Sequence, residues 1–193
     1  MRPEGTRPTD VLGPITIVLG DAKVLYPRVL RDYLVYASDQ GAIAPRWSRE
    51  ILEEVIEHLA ETIASFTPEQ GDLLIRLLNR AFPYAEVAPS PAARRKVSAL
   101  VLPDEDDRHV LTAAVAPRAD ILCTDNIKDF PREAMEAVGI ELLSADALLA
   151  RLVTANPAKM LAAHRSAVAS LAGATDASTV AALNARTPPR PPI

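Results

Sequence analysis

The sequence predicts an α/β fold, a parallel sheet flanked by helices on both faces, closed by a small C-terminal helical appendage. Two observations predict it. The apolar runs Ile15 to Leu19, Asp120 to Thr124 and Ile140 to Leu143 are short, strand-length and uninterrupted by polar alternation, the pattern of strands buried on both faces. Between and around them lie longer stretches whose apolar residues recur at helical spacing, and that alternation is the mark of a parallel sheet with crossover helices.

The elements follow in order. Ile15 to Leu19 ends at Gly20, a strand stop. Pro27 opens a helix with Leu30, Tyr33, Leu34 and Ala37 on one stripe, ending near Gly41. Ser48 is an N-cap for a helix whose apolar face is Ile51, Leu52, Val55, Ile56, Leu59 and Ile63. Thr67 caps the next, over 68–81, with Pro68 in first position. Residues 83–98 are proline-rich and read as irregular, becoming basic at Arg94, Arg95 and Lys96. After the short apolar segment Ala99 to Leu102, Pro103 and Asp104 start a helix to about Val115. The second and third strands then follow. Asn156 and Pro157 open an alanine-rich helix running to Gly173, and Asp176 or Ser178 caps a shorter one to about Arg186. The expected organisation is a flexible tail over 1–13, one domain over 14–153, a helical extension over 154–186 and a proline-rich tail over 187–193. The extension is expected to dock on the main domain, the alternative being a partner surface.

Composition narrows the function classes. With 193 residues, 49% of them hydrophobic, the chain can bury a core and is not disordered as a whole. A single cysteine, Cys123, rules out an intrachain disulfide and a disulfide-stapled secreted domain, so a cytoplasmic location fits; Cys123 reads as a small core residue. No apolar run approaches the roughly 18 residues of a membrane span, and the first thirteen residues carry no signal-peptide core. Aromatic residues make up 4%, too few for base-stacking platforms. The net charge of −4, from 21 basic and 25 acidic residues, argues at first against nucleic acid.

Where the acids fall changes that argument. In open parallel sheets the site lies beyond the carboxyl ends of the strands. Asp21 stands two residues past the first strand; a turn or cap role is the simplest reading, a site carboxylate the functional one. Asp104, Glu105, Asp106 and Asp107 lead into Arg108, His109, Val110 and Leu111. Acids suit a first helical turn, yet Asp107 shares the apolar stripe with Val110, Leu111 and Ala114, and Asp104 falls one turn earlier. Thr124, Asp125, Asn126 and Asp129 follow the second strand. Glu53 and Glu54 both flank the apolar face of their helix, and periodicity does not choose between them. Carboxylates converging without a cysteine or histidine pairing make a hard-cation site, suited to Mg²⁺ or Mn²⁺.

These residues form a familiar series. Asp21-Ala22-Lys23-Val24-Leu25-Tyr26-Pro27, Trp47-Ser48 with Glu54 six residues on, Asp104 through Leu111, and Leu122 through Pro131 together resemble the PIN domain, and more closely the VapC-type ribonuclease toxins of bacterial toxin–antitoxin pairs. The resemblance covers about residues 14–150, and the C-terminal helices resemble the extension of one branch of such toxins. It implies a metal-dependent endoribonuclease using one or two Mg²⁺ or Mn²⁺ ions. Asp21, Glu54 and Asp107 match the first three metal-binding acids, with Asp104 assisting; the fourth group is Asp125 with Asn126 and Thr124 in support, either of the first two holding the outer position. RNA, a cognate antitoxin and a second copy of the chain are the implied partners. Where the family usually has Asn or Ser, this chain has Lys23, whose ammonium either competes with the cation for Asp21 or Glu54 or points outward.

The residues themselves are consistent with that chemistry. No histidine is needed as base, and His58, His109 and His164 read as flank or exposed residues. Arg28, Arg31, Arg46, Arg49, Arg94, Arg95 and Lys96 are candidates to hold the RNA backbone. Rival readings are a housekeeping RNA-processing or DNA-cleaving nuclease and a non-catalytic binding module disabled at Lys23. A receiver or phosphatase would need an Asp-x-Asp motif, or an acidic pair plus a lysine on later strands, and Asp21-Ala22-Lys23 does not fit the first. Asp21, Glu54, Asp107 and Asp125 account for the whole acidic excess of four, so the negative balance becomes a sign of a metal site.

Overall fold

The computed structural model describes residues 15–185, so the two expected tails lie outside the described residues. In chain order the elements are β1 (Ile17–Gly20), α1 (Ala22–Leu25), α2 (Arg28–Asp39), β2 (Ala44–Ser48), α3 (Arg49–Thr62), α4 (Pro68–Ala81), β3 (Glu86–Val87) and α5 (Pro91–Ser98). Then come α6 (Arg108–Val115), β4 (Ile121–Cys123), a 3-10 turn (Ile127–Asp129), α7 (Arg132–Val138), β5 (Glu141–Leu143), α8 (Ala145–Ala155), α9 (Pro157–Ala169) and α10 (Asp176–Asn184).

The five strands form one parallel sheet in the order β3-β2-β1-β4-β5. The chain first moves outward from β1 to β2 and β3, then returns across the sheet to β4 and β5. Right-handed crossovers therefore place the two sets of connecting helices on opposite faces, as expected. The reversal falls between β1 and β4, where Gly20 stands opposite Cys123. A crevice opens beyond the strand ends at such a switch point. Asp21 and Thr124 are the next residues on these two strands. The Asp21 backbone N–H donates to the Cys123 carbonyl, 3.0 Å, and closes the crevice floor.

The core is continuous across both faces. Leu19, Leu122, Val110, Leu111, Ala113 and Ala114 are essentially inaccessible, as is Cys123, in agreement with its expected core role. Trp47 fastens β2 to α4: its ring packs edge-on against Phe82, 6.1 Å between centroids, and its Nε1 donates to Asn79 Oδ1 at 2.9 Å. Two predicted caps match in detail: Ser48 Oγ accepts from Ile51 N, and Thr67 forms a reciprocal capping box with Gln70.

Several expectations are corrected. Residues 83–98 are not irregular: they hold β3 and α5, with Ser90 as N-cap and Pro91 in the first turn. The prolines that suggested a loop mark a helix start. The strand β2 was hidden by Pro45 and Arg46. Its proline is tolerated because β3 pairs only with Trp47 and Ser48, which leaves Pro45 on an edge. The helix expected from Pro103 begins at Arg108, because Asp104 Oδ1 accepts from Asp106 N and bends the acidic run into a turn. Pro27 is the N-cap of α2 rather than its first residue, and Thr175 caps α10 in place of Asp176 or Ser178.

Helix α9 lies on α2 and α8, and α10 touches both α9 and α2. His164 is not exposed as expected. Its Nδ1 meets the Tyr33 hydroxyl at 2.5 Å and its Nε2 faces Asp176 at 3.2 Å, while Lys159 Nζ donates to the Gly41 carbonyl. No helix among the described residues is long and apolar enough to cross a membrane.

Candidate active site

Asp21 is built into the turn between β1 and α1. As N-cap of α1 its Oδ1 accepts from Ala22 N at 2.6 Å, and its Oδ2 accepts from Thr124 Oγ1 at 2.6 Å. Both carboxylate oxygens are thus fixed, one by each side of the switch point, and the residue is 4% exposed. Burial pushes the Asp21 carboxyl above its usual range, and the nearby Glu54 charge adds to this. The Thr124 and Ala22 donors and the Lys23 ammonium act in the opposite direction.

Asp107 enters from the other side, immediately before α6. Its Oδ2 accepts from Asn126 Nδ2 at 3.2 Å. Burial, then the charges of Asp21, Asp129 and Asp104, push Asp107 up to about 6, with Lys23 pulling the other way. Three acid clusters separated in sequence therefore act on one another here. Asp129, on the 3-10 turn, is the member that sequence reasoning did not assign; its only signal was its place five residues past Thr124.

Glu54 is the glutamate of α3 that turns toward the site, whereas Glu53 pairs with Arg49 at 2.8 Å on the outer face. Glu54 Oε1 lies 2.9 Å from His109 Nε2, and His109 Nδ1 lies 2.7 Å from the Asp106 carbonyl. The Glu54 contact is a charge pair without the alignment of a good hydrogen bond, since Nε2 is buried with no well-directed acceptor. Burial opposes charge on His109, but Glu54, the Asp106 carbonyl and Glu50 together push it up to about 9. His109 is therefore a clasp on Glu54 rather than the flank residue expected.

The remaining candidates divide. Asp125 Oδ1 accepts from Ala145 N at 3.0 Å and so braces the start of α8; of the pair at the fourth position, Asn126 is the one that touches Asp107. Thr124 donates to Asp21 Oδ2 and accepts from Asn126 N at 3.0 Å. Arg31 is buried, donating to the carbonyls of Leu25 and Tyr26, which removes it from the RNA candidates. Arg28 pairs with Asp32, Arg46 donates to Pro45 O and Lys96 to Val138 O; Arg94 and Arg95 are exposed.

A family profile described as "PIN domain" matches residues 17–128, more than half of the chain. The chain belongs to the PIN-domain family. The matched span runs from β1 through most of the 3-10 turn, so this PIN domain includes Asp21, Glu54, Asp107 and Asn126, and leaves α7, β5 and α8 to α10 outside. Among curated proteins it resembles "Putative ribonuclease VapC50" of Mycobacterium tuberculosis (strain ATCC 25618 / H37Rv), 46% identical over 43 residues. That match covers 22% of this chain and spans a quarter of the relative's length. No solved structure matches the chain.

The donor set of this PIN domain fits a divalent cation. It is all hard oxygen, and two of its carboxylates are pressed above their usual range by burial and by neighbouring acids, Glu54 on Asp21 and Asp21 on Asp107, a cost that a bound cation relieves. Among the described residues no three acidic, histidine or cysteine side chains stand together in an arrangement able to hold an ion as they are oriented. Asp21 and Asp107 form the cluster's centre, and Glu54 is turned toward His109.

Proposed function

We propose that the chain is a divalent-cation-dependent endoribonuclease and the toxin of a type II toxin–antitoxin pair, acting in the cytoplasm. One observation supports this above the others: buried Asp21 and half-buried Asp107 are held against their mutual repulsion at the switch point of the sheet. Carboxylates pressed together in a crevice mark a candidate functional site, and a cation would relieve their repulsion. Asp21 and Asp107 would hold Mg²⁺ or Mn²⁺, with Glu54, Asn126 and Asp129 around them and Asp104 and Asp125 shaping the flanking turns. When bound, such a cation lowers the pKa of a water and offsets charge developing on the phosphate. Thr124 fixes the orientation of Asp21, and Asn126 that of Asp107. Arg28, Arg46, Arg94, Arg95 and Lys96 remain the basic groups available to RNA. A cognate antitoxin and a homodimer are part of the proposal, resting on the resemblance to VapC-type toxins.

The test is cleavage of total cellular RNA by the purified chain with Mg²⁺ or Mn²⁺. Activity should vanish with EDTA and in Asp21→Asn; cleavage that survives both would overturn the reading. A second reading, a non-catalytic PIN-like module, draws on Lys23, whose ammonium already acts on both Asp21 and Asp107. Calorimetric titration with Mn²⁺ separates the two, since only the first requires the ion to bind. A housekeeping RNA-processing nuclease would share the chemistry and lack the antitoxin.

A further inference from the structure

A second polar cleft adjoins the carboxylate cluster. It lies between α3, α5 and α6, encloses about 570 Å³, and is lined by Glu50, Glu54, Arg94, Ser98, Arg108 and His109 among others. Its volume is within the range of small-ligand sites. Glu54 belongs to both the cleft and the acid cluster, so a group seated here would stand beside the reacting phosphate.

The hydrogen-bonding capacity left open in the cleft is specific. Arg108 is spent: its three nitrogens donate to Glu105 and to the carbonyls of Val97 and Leu100. Thr112 Oγ1 donates to Arg108 O, Ser98 Oγ to Arg95 O, and His109 is taken by Glu54 and Asp106. Among the described residues Arg94, Glu50 and Asp106 line the cleft with no side-chain hydrogen bond or ion pair, although Glu50 acts on His109 through its charge. Arg94 offers a planar fork of donors, and the two carboxylates offer acceptor oxygens.

Charge decides what fits. Glu50, Glu54, Glu105 and Asp106 outnumber Arg94, Arg108 and His109 around the cleft, which disfavours a phosphate. A purely cationic guest would meet the unpaired Arg94. A neutral planar group with acceptors on one edge and N–H donors on the next satisfies Arg94 and the open carboxylate of Glu50. Guanine has this pattern: O6 and N7 accept from an arginine fork, and N1–H with the N2 amino group donates to a carboxylate. Adenine lacks the N1 proton, and cytosine and uracil lack N7.

We propose that this cleft is a guanine-binding subsite, with Arg94 and Glu50 as its reading residues, next to the cleavage centre. It rests on the nuclease reading for its role and makes Arg94 a base contact rather than a backbone contact. The test is binding, measured in EDTA by fluorescence anisotropy. Short single-stranded RNAs differing at one position, guanosine, inosine or adenosine, are titrated with the full chain and with Glu50→Gln and Arg94→Ala. Both positions are exposed, so the variants keep the fold. The wild type should bind the guanosine RNA about tenfold more tightly than the adenosine RNA, with inosine between. Each variant should lose that discrimination, and for Glu50→Gln the affinity for the adenosine RNA should stay within about twofold. Equal binding of guanosine and adenosine RNAs by the wild type, or discrimination retained in both variants, would overturn the subsite. Discrimination in binding without any cleavage under Mg²⁺ or Mn²⁺ would overturn the nuclease reading and leave the subsite standing.

Discussion

Replacing Asp107 with asparagine should stabilise the cation-free protein while removing its activity. In the unfolded chain Asp107 titrates near its ordinary value of 3.8, and in the fold it is pushed up to about 6 by burial and by Asp21, Asp129 and Asp104. Between those values the folded state keeps a proton that the unfolded state has lost, so stability falls as pH rises through the window. Above about 6 the full penalty is present. The gap corresponds to ~3 kcal/mol at full weight. Asp107 is only half-buried, and solvent screening reduces the figure to ~1 to 2 kcal/mol. Asparagine keeps the shape and an oxygen for Asn126 Nδ2 and removes the charge. Urea unfolding in EDTA at pH 7.5 should therefore show a higher midpoint for Asp107→Asn, with an unchanged m-value. At pH 4 the difference should largely disappear. A variant no more stable than wild type at pH 7.5, or equally stabilised at both pH values, would refute the electrostatic account of the site.

Two further perturbations probe the scaffold. Thr124→Val removes the donor to Asp21 Oδ2 at a fully buried position, so it should cost ~1 to 3 kcal/mol and reduce cleavage strongly, with Thr124→Ser recovering most of both; urea midpoints and initial rates check it. Gly71→Ala places a Cβ 2.7 Å from Ile56 Cγ2 at the α3–α4 contact, so overpacking should outweigh the helix-propensity gain and destabilise by ~1 kcal/mol. Adding Ile56→Leu, which lacks that methyl, should reverse the loss in thermal denaturation.

The sheet was legible where strands are buried on both faces, because Ile17 to Gly20 and Ile121 to Cys123 leave no alternation to misread. It was obscured at β2 and α5, where Pro45 and Pro91 resemble loop signals until pairing and cap positions are known. Asp21 and Asp107 could be singled out from a strand end, a helix stripe and family motifs, whereas the fourth position read as Asp125 with Asn126 in support, and it is Asn126 that touches Asp107. The partners of their neighbours could not be placed. His109 reaches Glu54 only through the packing of α6 beside α3, and Asp125 turns toward α8, a helix whose position local sequence does not encode. Likewise Arg31 looks like any surface arginine until the carbonyls of Leu25 and Tyr26 are seen to absorb it.

The most direct test of the central claim is the chemistry of the RNA ends left after incubation with Mg²⁺ or Mn²⁺. Attack by water at a carboxylate–cation site, with the 3′-oxygen as leaving group, leaves a 5′-phosphate and a 3′-hydroxyl, and the account predicts these ends, lost together in Asp21→Asn and Asp107→Asn. Products ending in a 2′,3′-cyclic phosphate, or 5′-phosphate ends undiminished in those variants, would contradict it.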